Sequence, residues 1–155
     1  MVNLINGTVV AFVNLLTLEC LDLSNGYATD NTPIIGYNCH SGANQQWTLI
    51  EQNSVGAWPV WSVINKATGS AMDLVVGPSN PIRGFQPSAS NAPGQSWRLV
   101  SAQPDFGLVM IQNTLTNTYA TLLDTSVDGG HAIAGYSGSV EEAQQSQLWK
   151  VSVVG

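Results

Sequence analysis

Asn44-Gln45-Gln46-Trp47 returns as Gly94-Gln95-Ser96-Trp97 and again as Ser146-Gln147-Leu148-Trp149. The shared element is Gln-x-Trp, and its tryptophans stand 50 and 52 residues apart. One motif at one such period marks three structural repeats. Each Trp leads into alternation: Trp47-Thr-Leu-Ile, Trp97-Arg-Leu-Val and Trp149-Lys-Val-Ser read as short strands with one face inward. The repeats span roughly residues 4–52, 53–102 and 103–155, within one domain of 155 residues that is long enough to bury a substantial core.

Two further registers lie upstream of the tryptophans. Leu21-Asp22-Leu23, Met72-Asp73-Leu74 and Leu123-Asp124-Thr125 set an Asp after an apolar residue at intervals of 51. Between these and Gln-x-Trp runs a frame of Ile-x-Gly-aromatic: Ile34-Ile35-Gly36-Tyr37, Ile82-Arg83-Gly84-Phe85 and Ile133-Ala134-Gly135-Tyr136. Apolar runs are short, rich in Val, Ile, Thr and Tyr, and broken by Asn25-Gly26, Gly77-Pro78 and Asp128-Gly129-Gly130. Many short strands at this spacing predict an all-β chain. Glu141-Glu142-Ala143-Gln144-Gln145 alone favours helix, and its length supports one turn at most.

Composition narrows the function classes. Charged residues make up 9% and hydrophobic residues 44%, a balance that belongs to globular rather than disordered chains. The net charge is −6, and the four basic residues Lys66, Arg83, Arg98 and Lys150 are scattered. Phosphate binding needs a basic patch, so no nucleic-acid partner is expected. The run Val9-Val10-Ala11-Phe12-Val13 lacks a basic flank and aligns with later strands, so it is expected to open repeat one rather than form a signal-peptide core. No apolar run approaches the length of a membrane span, so no membrane insertion is expected. On this reading the chain is cytoplasmic or leaves the cell by a non-classical route. The sequon Asn6-Gly7-Thr8 is too short to decide the compartment.

Gln-x-Trp in triplicate, with an upstream Asp and a Gly-aromatic pair, resembles the R-type lectins of the ricin B-chain family, and most closely the small mushroom lectins. The resemblance spans essentially the whole chain. It implies a β-trefoil: three repeats of four strands, a six-stranded barrel closed by three hairpins, and pseudo-threefold symmetry. It places the three Gln-x-Trp tryptophans in the core. Closure would also remove open sheet edges, which suits a chain with few gatekeeper charges.

Sugar chemistry can be set beside the same residues. A hexose offers vicinal hydroxyls to a carboxylate and a C–H face to a flat ring. Asp22 supplies the acceptor, Tyr37 the platform, and Asn44 a group that donates and accepts; Gly36 lets a sugar approach the backbone. The resemblance implies that Asp, aromatic and Asn contact galactose or N-acetylgalactosamine, with Gln45 supporting the Asp. Repeat two offers Asp73, Gly84, Phe85 and Gln95, but Gly94 replaces the Asn and the stretch from Asp to Ile is three residues shorter. Repeat three offers Asp124, Gly135, Tyr136 and Gln147, with Ser146 for the Asn. Repeat one is therefore ranked first, three second and two last. Arg83 is read either as a sugar donor or as a solvated loop residue. Against these readings stand a turn acceptor for each Asp and barrel-end packing for each aromatic.

Cys20, Cys39 and His40 invite a zinc reading, yet no fourth ligand at metal spacing accompanies them. Their positions, two before Asp22 and two after Tyr37, resemble the disulfide within ricin-type repeats; a reducing compartment would keep them as thiols. No metal or cofactor is expected. Catalysis is not expected either, because no nucleophile-and-base signature stands out and carboxylates at matching repeat positions lie too far apart to act as a pair. The expected partners are galactose- or N-acetylgalactosamine-terminated glycans, bound multivalently, with a homodimer left open. The rival readings are a β-trefoil protease inhibitor acting through Val55-Gly-Ala-Trp-Pro-Val-Trp61, with Trp58 and Trp61 as contacts, and a structural trefoil whose sites have decayed.

Overall fold

The structure is a computed structural model that describes residues 3–52, 58–103 and 106–154. Its twelve strands are β1 (Val9–Asn14), β2 (Cys20–Leu23), β3 (Thr32–Tyr37), β4 (Trp47–Gln52), β5 (Val60–Asn65), β6 (Ala71–Leu74), β7 (Ile82–Phe85), β8 (Trp97–Gln103), β9 (Leu108–Asn113), β10 (Tyr119–Val127), β11 (Gly130–Tyr136) and β12 (Trp149–Val153). No α-helix occurs among the described residues. The antiparallel pairings β1–β4, β4–β5, β5–β8, β8–β9, β9–β12 and β12–β1 close a six-stranded barrel. The hairpins β2–β3, β6–β7 and β10–β11 cap it, and they join each other through β3–β11, β3–β7 and a bridge from Pro81 to Ala134. This is a β-trefoil. The residues of the loop from Val55 to Ala57 lie outside the described set.

Trp47, Trp97 and Trp149 begin the last strand of each repeat and are completely buried. Each indole N–H needs a partner there, and finds the carbonyl of Leu21, Met72 or Ala120 at 3.0, 2.8 and 3.0 Å. Opposite each Trp on the neighbouring strand sits a buried Asn: Asn65, Asn113 and Asn14 respectively. These amides donate to the carbonyls of Asn44, Gly94 and Ser146, and their oxygens accept from the N–H two residues ahead, Ala67, Leu115 and Leu16. They form a fourth repeated register, Asn-x-x-Thr at residues 14, 65 and 113. Each Asn fixes the turn that precedes Gln-x-Trp, which is a short 3-10 segment in all three repeats: Ala43–Gln45, Pro93–Gln95 and Gln145–Gln147. The helix-favouring stretch 141–145 contributes only the start of the third such turn.

Candidate functional site

The 3-10 turn delivers the Gln of Gln-x-Trp, buried, to the base of each hairpin. Gln45 donates to Asp22 Oδ2 and to the Asn38 carbonyl, both at 2.8 Å, while its Oε1 accepts from the His40 N–H at 2.9 Å. Gln95 repeats the pattern with Asp73 Oδ2 at 2.9 Å, the Gln86 carbonyl at 3.0 Å and the Ser88 N–H at 2.8 Å. Gln147 donates to the Ser137 carbonyl at 2.9 Å, but its second partner is the hydroxyl of Thr121 at 3.1 Å.

The acidic register of repeat three therefore needs correction. Position for position, Thr121 and not Asp124 corresponds to Asp22 and Asp73, because Ala120 holds the Trp149 indole as Leu21 and Met72 hold theirs. Strand pairing agrees: Leu21, Met72 and Ala120 face Gly36, Gly84 and Gly135. Asp124 lies three residues further along β10, exposed, where the register of the longer hairpin slips between Leu122 and Ser126. Repeat three thus has no carboxylate at this position.

The three glycines also have a packing role. All are buried, and a Cβ at Gly36, Gly84 or Gly135 would lie 2.5, 2.7 or 2.6 Å from Cδ1 of Leu122, Leu23 or Leu74. Glycine is required there because a leucine from the preceding hairpin fills the space. That packing locks the three hairpins together.

Repeat one is closed over its carboxylate. Asp22 is 2% exposed, its Oδ1 accepts from Asn44 at 3.1 Å, and His40 Nε2 stands 3.6 Å from Oδ2. Asn44 spends its other hydrogen on the Leu23 carbonyl at 3.1 Å. Tyr37 is half-buried and meets the His40 ring edge-on, with centroids 6.2 Å apart. Cys20 and Cys39 are joined in a disulfide, Cα atoms 5.1 Å apart, so neither serves as a zinc-binding thiolate. Burial pushes the Asp22 carboxyl above its usual value, against the opposing pull of Gln45, His40 and Asn44.

Repeat two is more open. With Gly94 in the Asn position, Gln95 is the one described side chain that donates to Asp73, and Ser88 stands where His40 stands. Asp73 and Phe85 are partly exposed. Burial again raises the Asp73 carboxyl, offset by Gln95. Arg83 donates to the Asn31 carbonyl at 3.2 Å, tying down a loop of repeat one, and the Gln86 N–H donates to Asp30 Oδ1 at 2.9 Å. The open end of this site thus carries residues of the preceding repeat.

The same borrowing recurs around the cap. Asp128 of the β10–β11 hairpin accepts from the Ser24 hydroxyl at 2.5 Å, and His131 meets Glu19 at 2.7 Å, walling repeat one. In repeat three a cleft of about 720 Å³ opens between Tyr136, Thr121, Ser146 and the Pro78-Ser79-Asn80 loop of repeat two. Sequence reading missed these walls, since no spacing within one repeat reports on its neighbour. Trp58 is exposed, whereas Trp61 is a core residue and not a surface contact.

Residues 3–81 match the family described as ricin-type beta-trefoil lectin domain-like. No curated protein sequence matches the chain. Among solved structures, the Rhizoctonia solani agglutinin shares 20% identity at a TM-score of 0.78, covering 99% of this chain and 100% of its own. The Polyporus squamosus lectin, solved with Neu5Acα2-6Galβ1-4GlcNAc, shares 21% at 0.73, over 96% of this chain and 50% of its own. The C-half of an earthworm R-type lectin, solved with GalNAc, shares 15% at 0.70, over 95% and 99%. These likenesses establish the fold, and the matched segment covers half of the sequence: the chain belongs to the ricin-type β-trefoil lectin-like family.

Proposed function

We propose that the protein is a lectin that binds terminal galactose or N-acetylgalactosamine and cross-links glycans, without metal, cofactor or catalysis. The observation that carries this reading is the repeated pair of Asp22 and Asp73, each held through Oδ2 by a buried Gln and each with an aromatic, Tyr37 or Phe85, two residues beyond its partner on the paired strand. A carboxylate fixed by one oxygen keeps acceptor capacity for hydroxyls on the other. In repeat two that oxygen is free of described donors, and Phe85 offers the apolar face. In repeat one Asn44 and His40 must give way first. The order of the sites is therefore two, then one, with repeat three, lacking the carboxylate, last.

Two sites on one chain suffice for cross-linking, and avidity then exceeds single-site affinity. The test is red-cell agglutination with inhibition by free galactose, N-acetylgalactosamine, glucose and mannose. Inhibition by the first two alone supports the reading, and agglutination that none of them blocks refutes it.

A further inference from the structure

Away from the hairpin sites, the barrel wall carries two clefts built from the same repeat positions. One, of about 500 Å³, is lined by Trp58, Trp61, Arg98, Gln112 and Tyr119. The other, of about 680 Å³, is lined by Phe106, Lys150, Leu15 and Leu18. Trp58 and Phe106 each stand seven residues before the buried Asn that ends the strand, Asn65 or Asn113. Arg98 and Lys150 each directly follow the Gln-x-Trp tryptophan. Repeat one has Gly7 and Thr48 at these positions, so ring and cation are missing together.

This pairing has a chemical meaning. Trp58 and Phe106 are 67% and 69% exposed beside apolar walls, surface that a ligand could remove from water. Arg98 and Lys150 are half of the basic residues of a chain with net charge −6. Among the described residues neither lies within 4.0 Å of a carboxylate. The Tyr119 hydroxyl, which accepts from the Gln112 amide at 3.4 Å, keeps its own hydrogen to donate in the first cleft. The hairpin sites present carboxylates and suit neutral polyols; these clefts present cations and suit the opposite charge.

We propose that both clefts bind amphipathic organic anions, one carboxylate or sulfonate on an apolar skeleton. The anion meets Arg98 or Lys150 and the skeleton lies against Trp58 or Phe106. Cavities of this size are those of small-molecule sites. The sites are independent of sugar binding because their rings and cations, Trp58 with Arg98 and Phe106 with Lys150, lie outside the hairpins.

The test is fluorescence titration of the folded full-length protein with 8-anilinonaphthalene-1-sulfonate, beside its uncharged analogue N-phenyl-1-naphthylamine. The proposal expects saturable binding of the sulfonate at two per chain, about tenfold tighter than the analogue. In an R98Q/K150Q variant the sulfonate should fall to the affinity of the analogue, whose own binding stays unchanged. W58A/F106A should weaken both probes, and excess galactose should displace neither. Equal affinity for the two probes, or a sulfonate affinity untouched by R98Q/K150Q, would overturn it.

Discussion

His40 Nε2 lies 3.6 Å from Oδ2 of Asp22, over a carboxylate whose two oxygens already accept from Gln45 and Asn44. Its other ring nitrogen accepts from the Gly42 N–H at 3.1 Å, which leaves the proton on the nitrogen that faces Asp22. A sugar hydroxyl that reached the Asp22 carboxylate would have to displace this ring. His40→Ala should therefore tighten galactose binding in repeat one by roughly fivefold, the equivalent of about 1 kcal/mol for a half-exposed N–H facing a carboxylate. Calorimetric titration checks this, and weaker binding in the variant would make His40 a sugar contact instead.

Thr121 and Asp124 give a second test, because they separate the position that touches Gln147 from the position that merely keeps the 51-residue interval. Asp124→Ala should leave sugar binding unchanged and alter stability by no more than about 0.5 kcal/mol. Thr121→Asp should place a carboxylate within reach of Gln147 and add a galactose site. Counting sites by titration decides it; a lost site in Asp124→Ala would contradict the assignment.

Asn113 joins two backbone groups for which no other partner occurs among the described residues, the Gly94 carbonyl and the Leu115 N–H. Asn113→Ala should cost about 2–3 kcal/mol, the penalty for orphaned buried polar groups. Urea unfolding measures it, and a loss below about 0.5 kcal/mol would show that water replaces the amide.

How much of this was legible follows from which residues the fold leaves no choice. Trp at the start of the last strand of each repeat and Gly beneath each hairpin leucine are dictated by packing, so their registers stood out in the sequence. The Asp register failed in repeat three because the β10–β11 hairpin is longer, and an exposed Asp124 happened to restore the interval. The missing signal was Asn-x-x-Thr: Asn14, Asn65 and Asn113 each precede Asp22, Asp73 and Thr121 by eight residues. The packing role of the glycines was illegible because the leucines they touch belong to another repeat. The accessibility of Asp22 and Asp73 was illegible for the same kind of reason, since His40, Asn44 and Gly94 decide it through side-chain placement.

Asp73 ties stability to pH. Burial holds its carboxyl above the usual 3.8, so between that value and its raised one the folded chain binds more protons than the unfolded chain. Its contribution to stability is full below 3.8 and is lost as pH rises through the raised value. Asp73→Asn, which can still accept from Gln95, should remove that loss and be more stable than wild type at pH 7, with the gain vanishing in acid. Thermal unfolding from pH 3 to 7 reads this directly. Sugar binding in wild type should fade in the opposite sense, as acid neutralises the acceptor.

The central claim is that Asp22 and Asp73 bind the sugar. Its most direct test is titration of the wild type and of Asp22→Asn, Asp73→Asn and the double variant with galactose and N-acetylgalactosamine, folding being verified by circular dichroism. A charged acceptor is worth about 1.5–3 kcal/mol, and a millimolar site has only about 4 kcal/mol in all. Each single variant should lose one site, and the double variant nearly all binding. A folded double variant with wild-type affinity and stoichiometry would contradict it.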